Sequence, residues 1–199
     1  MSPWLAKAMI LASSLAMVVI RAPHGQRSMR VKVIKSRRGT LEALLLTLAW
    51  VAFFVPIFWA LPTFWGGSPI LAEADYPLRP VVFAAGVVAL VTGLWLFARS
   101  HADLGTNWSL TLEVRENHHL VTHGVYQSVR HPMYLALVVY GIGQALAVPN
   151  WIVGPSYLVA MVLLFALRLG PEERLMEDEF GESYRDYVKR TKRLIPGIW

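Results

Sequence analysis

Two polar stretches, far apart in the chain, hold most of the side chains equipped for chemistry. The first reads Leu120-Val121-Thr122-His123-Gly124-Val125-Tyr126-Gln127-Ser128-Val129-Arg130-His131-Pro132-Met133-Tyr134. The second reads Arg168-Leu169-Gly170-Pro171-Glu172-Glu173-Arg174-Leu175 and continues to Phe180-Gly181-Glu182-Ser183-Tyr184-Arg185-Asp186-Tyr187. Between them they supply guanidinium, imidazole, carboxylate and phenol groups. The chain has no cysteine, which excludes disulfides, thiolate zinc sites, cysteine nucleophiles and S-acylation. Any reaction must therefore run on His, Arg, carboxylates, Tyr or a bound cofactor. Cations and carboxylates placed at one partly water-shielded mouth can each bind the complementary half of a zwitterionic ligand.

Each piece taken alone has a structural explanation. Arg130 can snorkel to lipid phosphates while His131 caps or packs. Pro132 suits a first helical position, and Glu172 and Glu173 after Pro171 are acids of the kind that stabilise a helix amino terminus. Gly141-Ile142-Gly143 reads as close helix packing rather than a nucleotide loop. His118, His119 and His123 lack the spacing and carboxylate partners of a metal site. The tryptophans suit interfacial anchors, and Lys189, Arg190, Lys192 and Arg193 suit an anionic leaflet. Only convergence of the two stretches makes a site.

The elements that must bring them together are membrane spans. Of 199 residues, 55% are hydrophobic and 16% charged, with a mean hydropathy of +0.45, against roughly a quarter charged in soluble domains. Apolar runs cover Trp4 to Ile20, Leu41 to Leu61, Pro80 to Ala98, Met133 to Val148 and Trp151 to Leu167. The first resembles a signal peptide in length but lacks a basic start and a clear cleavage site, so it reads as a retained helix. The last two form a helical hairpin through Pro149-Asn150, each near the lower length limit for a crossing. Pro56 predicts a kink in the second span, residues 65 to 77 an exposed loop, Pro171 a helix start and Gly181 a helix stop.

Five spans place the acid-free basic stretch Arg21 to Arg38, the loop from Arg99 to Arg130 and the tail from Arg168 on one side, with seven, three and seven basic residues. Only Lys7 and Arg79 face the other. The more basic side stays cytoplasmic, so the amino terminus is expected outside and the carboxyl terminus inside. The net charge of +6 is thus spent on anionic lipid and orientation, and no nucleic-acid partner is expected. The expected fold is an all-α integral membrane protein of about five transmembrane helices with a cytoplasmic, carboxyl-terminal helical cofactor site. Residues 1–98 would carry three spans and the basic cytoplasmic loop 21–38, and residues 99–199 the catalytic region. Oligomeric state is not readable.

From about Asp103 to Pro196 the chain resembles the isoprenylcysteine carboxyl methyltransferases and related membrane phospholipid methyltransferases. The resemblance rests on Leu104-Gly105-Thr106-Asn107-Trp108-Ser109, Leu120 to Tyr126, Arg130-His131-Pro132-Met133-Tyr134, Glu172-Glu173 and Phe180-Gly181-Glu182-Ser183-Tyr184. It implies S-adenosylmethionine as methyl donor and a lipophilic acceptor, with carboxyl O-methylation of an isoprenylcysteine-like substrate foremost. By the same similarity, Leu120, Val121, Gly124, Tyr126, Arg130, His131, Tyr134 and Glu172 are expected around the cofactor. Arg168 and Glu173 match the family's arginine and glutamate near the acceptor carboxylate. Gly170-Pro171 departs from the family's continuous Arg-Ile-x-x-Glu-Glu helix and puts the aim of Arg168 in question. A sterol-reductase-like enzyme using NADPH and a non-catalytic membrane scaffold are the competing readings.

Overall fold

A computed structural model describes residues 3–29, 32–36, 39–61, 69–107, 113–115, 119–195 and 197. The chain runs α1 (Pro3–Met29), β1 (Val33–Ser36), α2 (Thr40–Ala60), α3 (Pro69–Glu73), α4 (Pro80–Leu104), β2 (Glu113–Arg115), α5 (Pro132–Ala147), α6 (Val153–Phe180) and α7 (Glu182–Arg190). Four helices, α1, α2, α4 and α6, are long and apolar enough to cross a membrane, and α5 is a shorter apolar helix. Large apolar side chains stand exposed along them, including Val81 at 82% and Val88 at 66%. Such faces need lipid, since a soluble surface rarely carries contiguous apolar area of that extent.

The tightest seam is between α4 and α5, and small residues make it. A Cβ on Gly93 would lie 2.7 Å from the backbone nitrogen of Tyr140, and one on Gly143 2.6 Å from that of Leu90. Gly141 faces α6 instead, where a Cβ would meet Cα of Leu158 at 2.9 Å. The glycine pair therefore lets α5 approach a helix on each side, the packing role expected of it. Tyr140, buried on α5, shares hydrogen bonds with Ser13 and Ser14 of α1 at 3.1 and 3.4 Å. In the turn between α5 and α6, the Asn150 amide oxygen accepts the N–H groups of Ile152 and Val153 at 3.0 and 2.8 Å. Those are orphan donors of the α6 amino terminus. Its Nδ2 donates to the Leu71 carbonyl and to Asp75, both at 2.6 Å.

Three expectations change. The basic stretch begins as helix: α1 continues through Arg21 and Pro23 to Met29, because Arg side chains can lie along a helix end and keep their heads polar. Second, α6 runs through Gly170-Pro171 without a break for 28 residues, about 42 Å at 1.5 Å per residue. That exceeds the roughly 30 Å apolar layer, so its last turns project beyond it carrying the Glu172 region. A proline costs an internal helix one hydrogen bond, which the surrounding packing offsets here. Third, the chain is not purely helical: β1 and β2 pair antiparallel, Val33 with Arg115 and Ser36 with Glu113. Pro56 lies inside α2, and Gly181, at φ +53°, stops α6 as expected. The start of the predicted loop 65–77, and Arg30, Arg37, Arg38, Trp108, Ser109 and His118, lie outside the described residues.

Candidate active site

After α4 the chain winds through a short turn at Gly105–Asn107 and returns as the polar segment 119–131. Asn107 is buried and holds His119 twice: its amide oxygen accepts the His119 N–H at 3.3 Å, and its Nδ2 lies 3.1 Å from His119 Nε2. Gly124 adopts φ +59°, and a Cβ there would fall 2.0 Å from Asp103 Oδ2. Only glycine fits both demands. The same carboxylate oxygen accepts the Val125 N–H at 2.9 Å, pinning the loop to α4.

The carboxyl-terminal tail straps this loop from outside. The Tyr187 hydroxyl donates to the Tyr126 carbonyl at 2.6 Å, and the N–H groups of Arg130 and His131 donate to the carbonyls of Lys192 and Arg193 at 2.8 and 3.1 Å. Arg130 Nη1 donates to the Thr191 carbonyl at 2.6 Å. Burial, with Glu172 adding to it, raises the Tyr126 phenol well above its ordinary value; burial does the same for Tyr184 and pushes Tyr187 up to about 12. These phenols are neutral hydrogen-bonding groups at physiological pH, not bases.

At the first turn of α5, against α6, three rings stack: His131 on Tyr134, 5.4 Å apart and 7° from parallel, and Tyr134 on Phe165 at 4.2 Å. The Tyr134 hydroxyl donates to Glu172. Arg168, one helical turn before, lies 3.5 Å from Glu172 and 3.6 Å from Glu42 of α2. Successive residues on a helix point about 100° apart, so Glu173 faces another way. It lies 3.2 Å from Arg130, 3.4 Å from His131 Nε2 and 2.5 Å from Arg193. His131 thus stands between the two glutamates, with Nδ1 3.8 Å from Glu172. The continuous α6 settles the aim of Arg168: it joins Glu172 on one side of the helix.

One cavity of about 260 Å³ unites these groups. Of the residues read from sequence, Leu120, Val121, Tyr126, Arg130, His131, Tyr134, Arg168 and Glu172 line it. Gly124 lies behind the loop it shapes, and Glu173 sits in the cluster with Arg130 and Arg193 rather than in the cavity wall. The opposite wall comes from the first two spans, through Met17, Val18, Arg21, Trp50 and Phe53, with His101 of α4 beside them. Sequence reasoning missed Arg21, Glu42 and His101 as site residues. Arg21 follows the apolar run of α1, Glu42 lies in the first turn of α2 and His101 in the last turn of α4, so from sequence each reads as an ordinary charge at the end of an apolar run.

Comparison with known proteins bears on this arrangement directly. Residues 84–178 match the model of the isoprenylcysteine carboxyl methyltransferase (ICMT) family. That stretch is where the chain is similar to the family. It holds most of α4 and of α6, all of α5 and all ten site residues read from sequence. Among relatives, the Protein-S-isoprenylcysteine O-methyltransferase of Tribolium castaneum is 28% identical over 152 residues, covering 75% of this chain and 50% of that protein. The Rattus norvegicus enzyme of the same name is 33% identical over 117 residues, or 58% of this chain and 41% of the relative. The chain spans about half the length of the curated relatives it matches. The solved eukaryotic intramembrane Ras methyltransferase ICMT superposes with a TM-score of 0.56 at 25% identity, covering 95% of this chain and 62% of that one. The likeness in fold therefore reaches beyond the family segment to α1 and α2, the helices that close the cavity.

Proposed function

We propose that this protein is an integral membrane methyltransferase that moves a methyl group from S-adenosylmethionine to a lipophilic acceptor. Carboxyl O-methylation of an isoprenylcysteine-like substrate is the foremost reaction, in line with the names of its relatives. The observation that carries this reading is the single cavity with a polar floor of His131, Tyr134, Arg168 and Glu172 and an apolar wall of Met17, Val18 and Phe53. A polar cofactor and a lipid need to meet in such a space.

The residues present suit that cofactor. Glu42, Arg168 and Glu172 together carry one formal negative charge in excess, which complements a ligand of one net positive charge. Glu172, His131, Arg130, Tyr134 and Tyr126 would hold it, with the backbone of 120–124 around them. When bound it supplies a methyl group on a sulfonium, open to in-line displacement. The protein's own part is to orient and to exclude water, which can supply most of the acceleration. A carboxylate acceptor is already ionised and asks no base of the protein.

The five-span arrangement, with α5 as the short fifth member, the amino terminus outside and the site on the cytoplasmic side, follows from the basic-residue bias and belongs to the same reading. So does the partition into an amino-terminal span region and a catalytic region from 99, with the first region also closing the cavity. The test is transfer of labelled methyl from S-adenosylmethionine to N-acetyl-S-farnesylcysteine by purified protein. The His131→Ala, Glu172→Ala double variant should lose both transfer and cofactor binding. Stabilisation of the fold by NADPH but not by S-adenosylmethionine would instead select a reductase.

A further inference from the structure

We infer that Tyr157 of α6, with Phe53 of α2 against it, is the stop that sets the longest chain the lipid acceptor can carry. The inference rests on the methyltransferase reading for the class of acceptor, while the stop itself rests on geometry. The cavity lining follows one stripe of α6, from Glu172 and Arg168 through Met161 to Tyr157. From Arg168 to Tyr157 the helix rises about 16 Å at 1.5 Å per residue, so the cavity has a polar end and an apolar end set well apart. On the other spans the lining reaches no further from the polar end than Met17 of α1, Phe53 of α2, Phe97 of α4 and Leu137 of α5 among the described residues.

That apolar end is packed shut. The Tyr157 hydroxyl donates to Met17 Sδ at 3.9 Å, and its ring meets Phe53 edge to face at 6.1 Å and Tyr140 at 5.6 Å. Tyr140 in turn shares a hydrogen bond with Ser13 at 3.1 Å. Tyr157, Met17, Phe53 and Tyr140 are all buried, so rings rather than open lipid lie beyond the last lining atoms. A chain pressing on such packing must drive several side chains off their rotamers. A prenyl chain already dissolved in the bilayer also gains little by entering another apolar space. Fit therefore decides, and the longest chain accepted is one that ends where Tyr157 begins. The work is divided along α6: Arg168 and Glu172 serve the polar end, Met161 lies between, and Tyr157 fixes the length.

The experiment is equilibrium binding to the full chain in lipid nanodiscs, with the geranyl, farnesyl and geranylgeranyl forms of N-acetylcysteine as probes and S-adenosylmethionine measured in parallel. Each variant is read against wild type at the same chain length, so partition of the probe into lipid cancels. Wild type should bind the geranylgeranyl compound at least tenfold more weakly than the farnesyl one. Tyr157→Ala should close that gap by strengthening the geranylgeranyl compound alone. Met161→Phe, one turn nearer the polar end, should weaken the farnesyl compound at least tenfold and leave the geranyl one unchanged. Equal binding of the farnesyl and geranylgeranyl compounds by wild type, or one length profile shared by all three proteins, overturns the assignment and means that the chain leaves between helices. Should Tyr157→Ala lose its cooperative thermal transition, Phe53→Leu, a smaller opening at the same end, takes its place with the same expected direction. Failure of wild type to bind S-adenosylmethionine would sink the methyltransferase reading and leave the chain-length comparison intact.

Discussion

The two walls of the cavity are built on different principles. The wall from the polar loop, α6 and the tail is fixed by a dense set of directional bonds: Tyr187 to Tyr126, Arg130 to Thr191, and Glu173 among Arg130, His131 and Arg193. The wall from α1 and α2 is apolar surface with Arg21 set into it, and Glu42 of α2 stands beside Arg168 without lining the cavity. The difference suits two ligands. A small polar cofactor is recognised by aimed hydrogen bonds, whereas a flexible lipid is recognised by volume.

Damage to the two walls should therefore show in different measurements. The largest effect is expected for Glu173→Gln, which leaves Arg130 and Arg193 beside each other without their shared carboxylate. Removing one partner of a largely buried ion cluster costs about 3 kcal/mol, and the Glu173 side chain is only 15% exposed. The thermal unfolding midpoint should fall and trypsin should cut the tail near Lys189 and Arg190. Unchanged cleavage would mean that the tail does not depend on this cluster.

Next comes Glu42→Gln on the other wall. It removes one of the two acids beside Arg168, so acceptor turnover should drop about tenfold, roughly 1.4 kcal/mol in barrier, while the tail stays resistant to trypsin. Should tail cleavage and turnover change together, the walls are one cooperative unit and the contrast fails.

That contrast was only half legible in the sequence. The bonded wall could be read because its residues come as short motifs: Arg130-His131-Pro132 fixes a cation and an imidazole at a helix start, and Glu172-Glu173 follows Arg168 within one turn. The span positions were legible too, since apolar runs match the helices to within a few residues at most ends. Arg21 and Glu42 were not, because their meaning comes from partners on other helices, Trp50 and Arg168. Pairing across helices is a product of packing and leaves no spacing rule. Nor was the path of α6 through Pro171, or of α1 through Pro23, since local propensity favours an end at both and tertiary contacts override it.

Within the bonded wall, Tyr187→Phe isolates one strap. Loss of its bond to the Tyr126 carbonyl should cost about 1 kcal/mol. The phenol's folded pKa is raised, to about 12, so its contribution is complete below about pH 10. It is lost as pH climbs through 12. Wild type should thus shed stability over that alkaline window, and the variant should start lower and fall less steeply in thermal scans from pH 9 to 12.

The smallest effect is expected on the outer face of the same helix. Lys189 Nζ lies 2.8 Å from Asp186, with side chains 74% and 60% exposed. The lysine holds the Asp186 carboxyl below its ordinary value, so any contribution is present above the usual carboxylate range and lost as pH falls through the lowered value. Water and salt screen a pair this exposed. Lys189→Ala should leave the unfolding midpoint unchanged from pH 7 down to 3, overlaying wild type at every point, whereas Tyr187→Phe, two residues away on the same short helix, should not. A matched loss in both variants would show that α7 acts as a whole on the loop, and that the inward-facing phenols are not what fixes it.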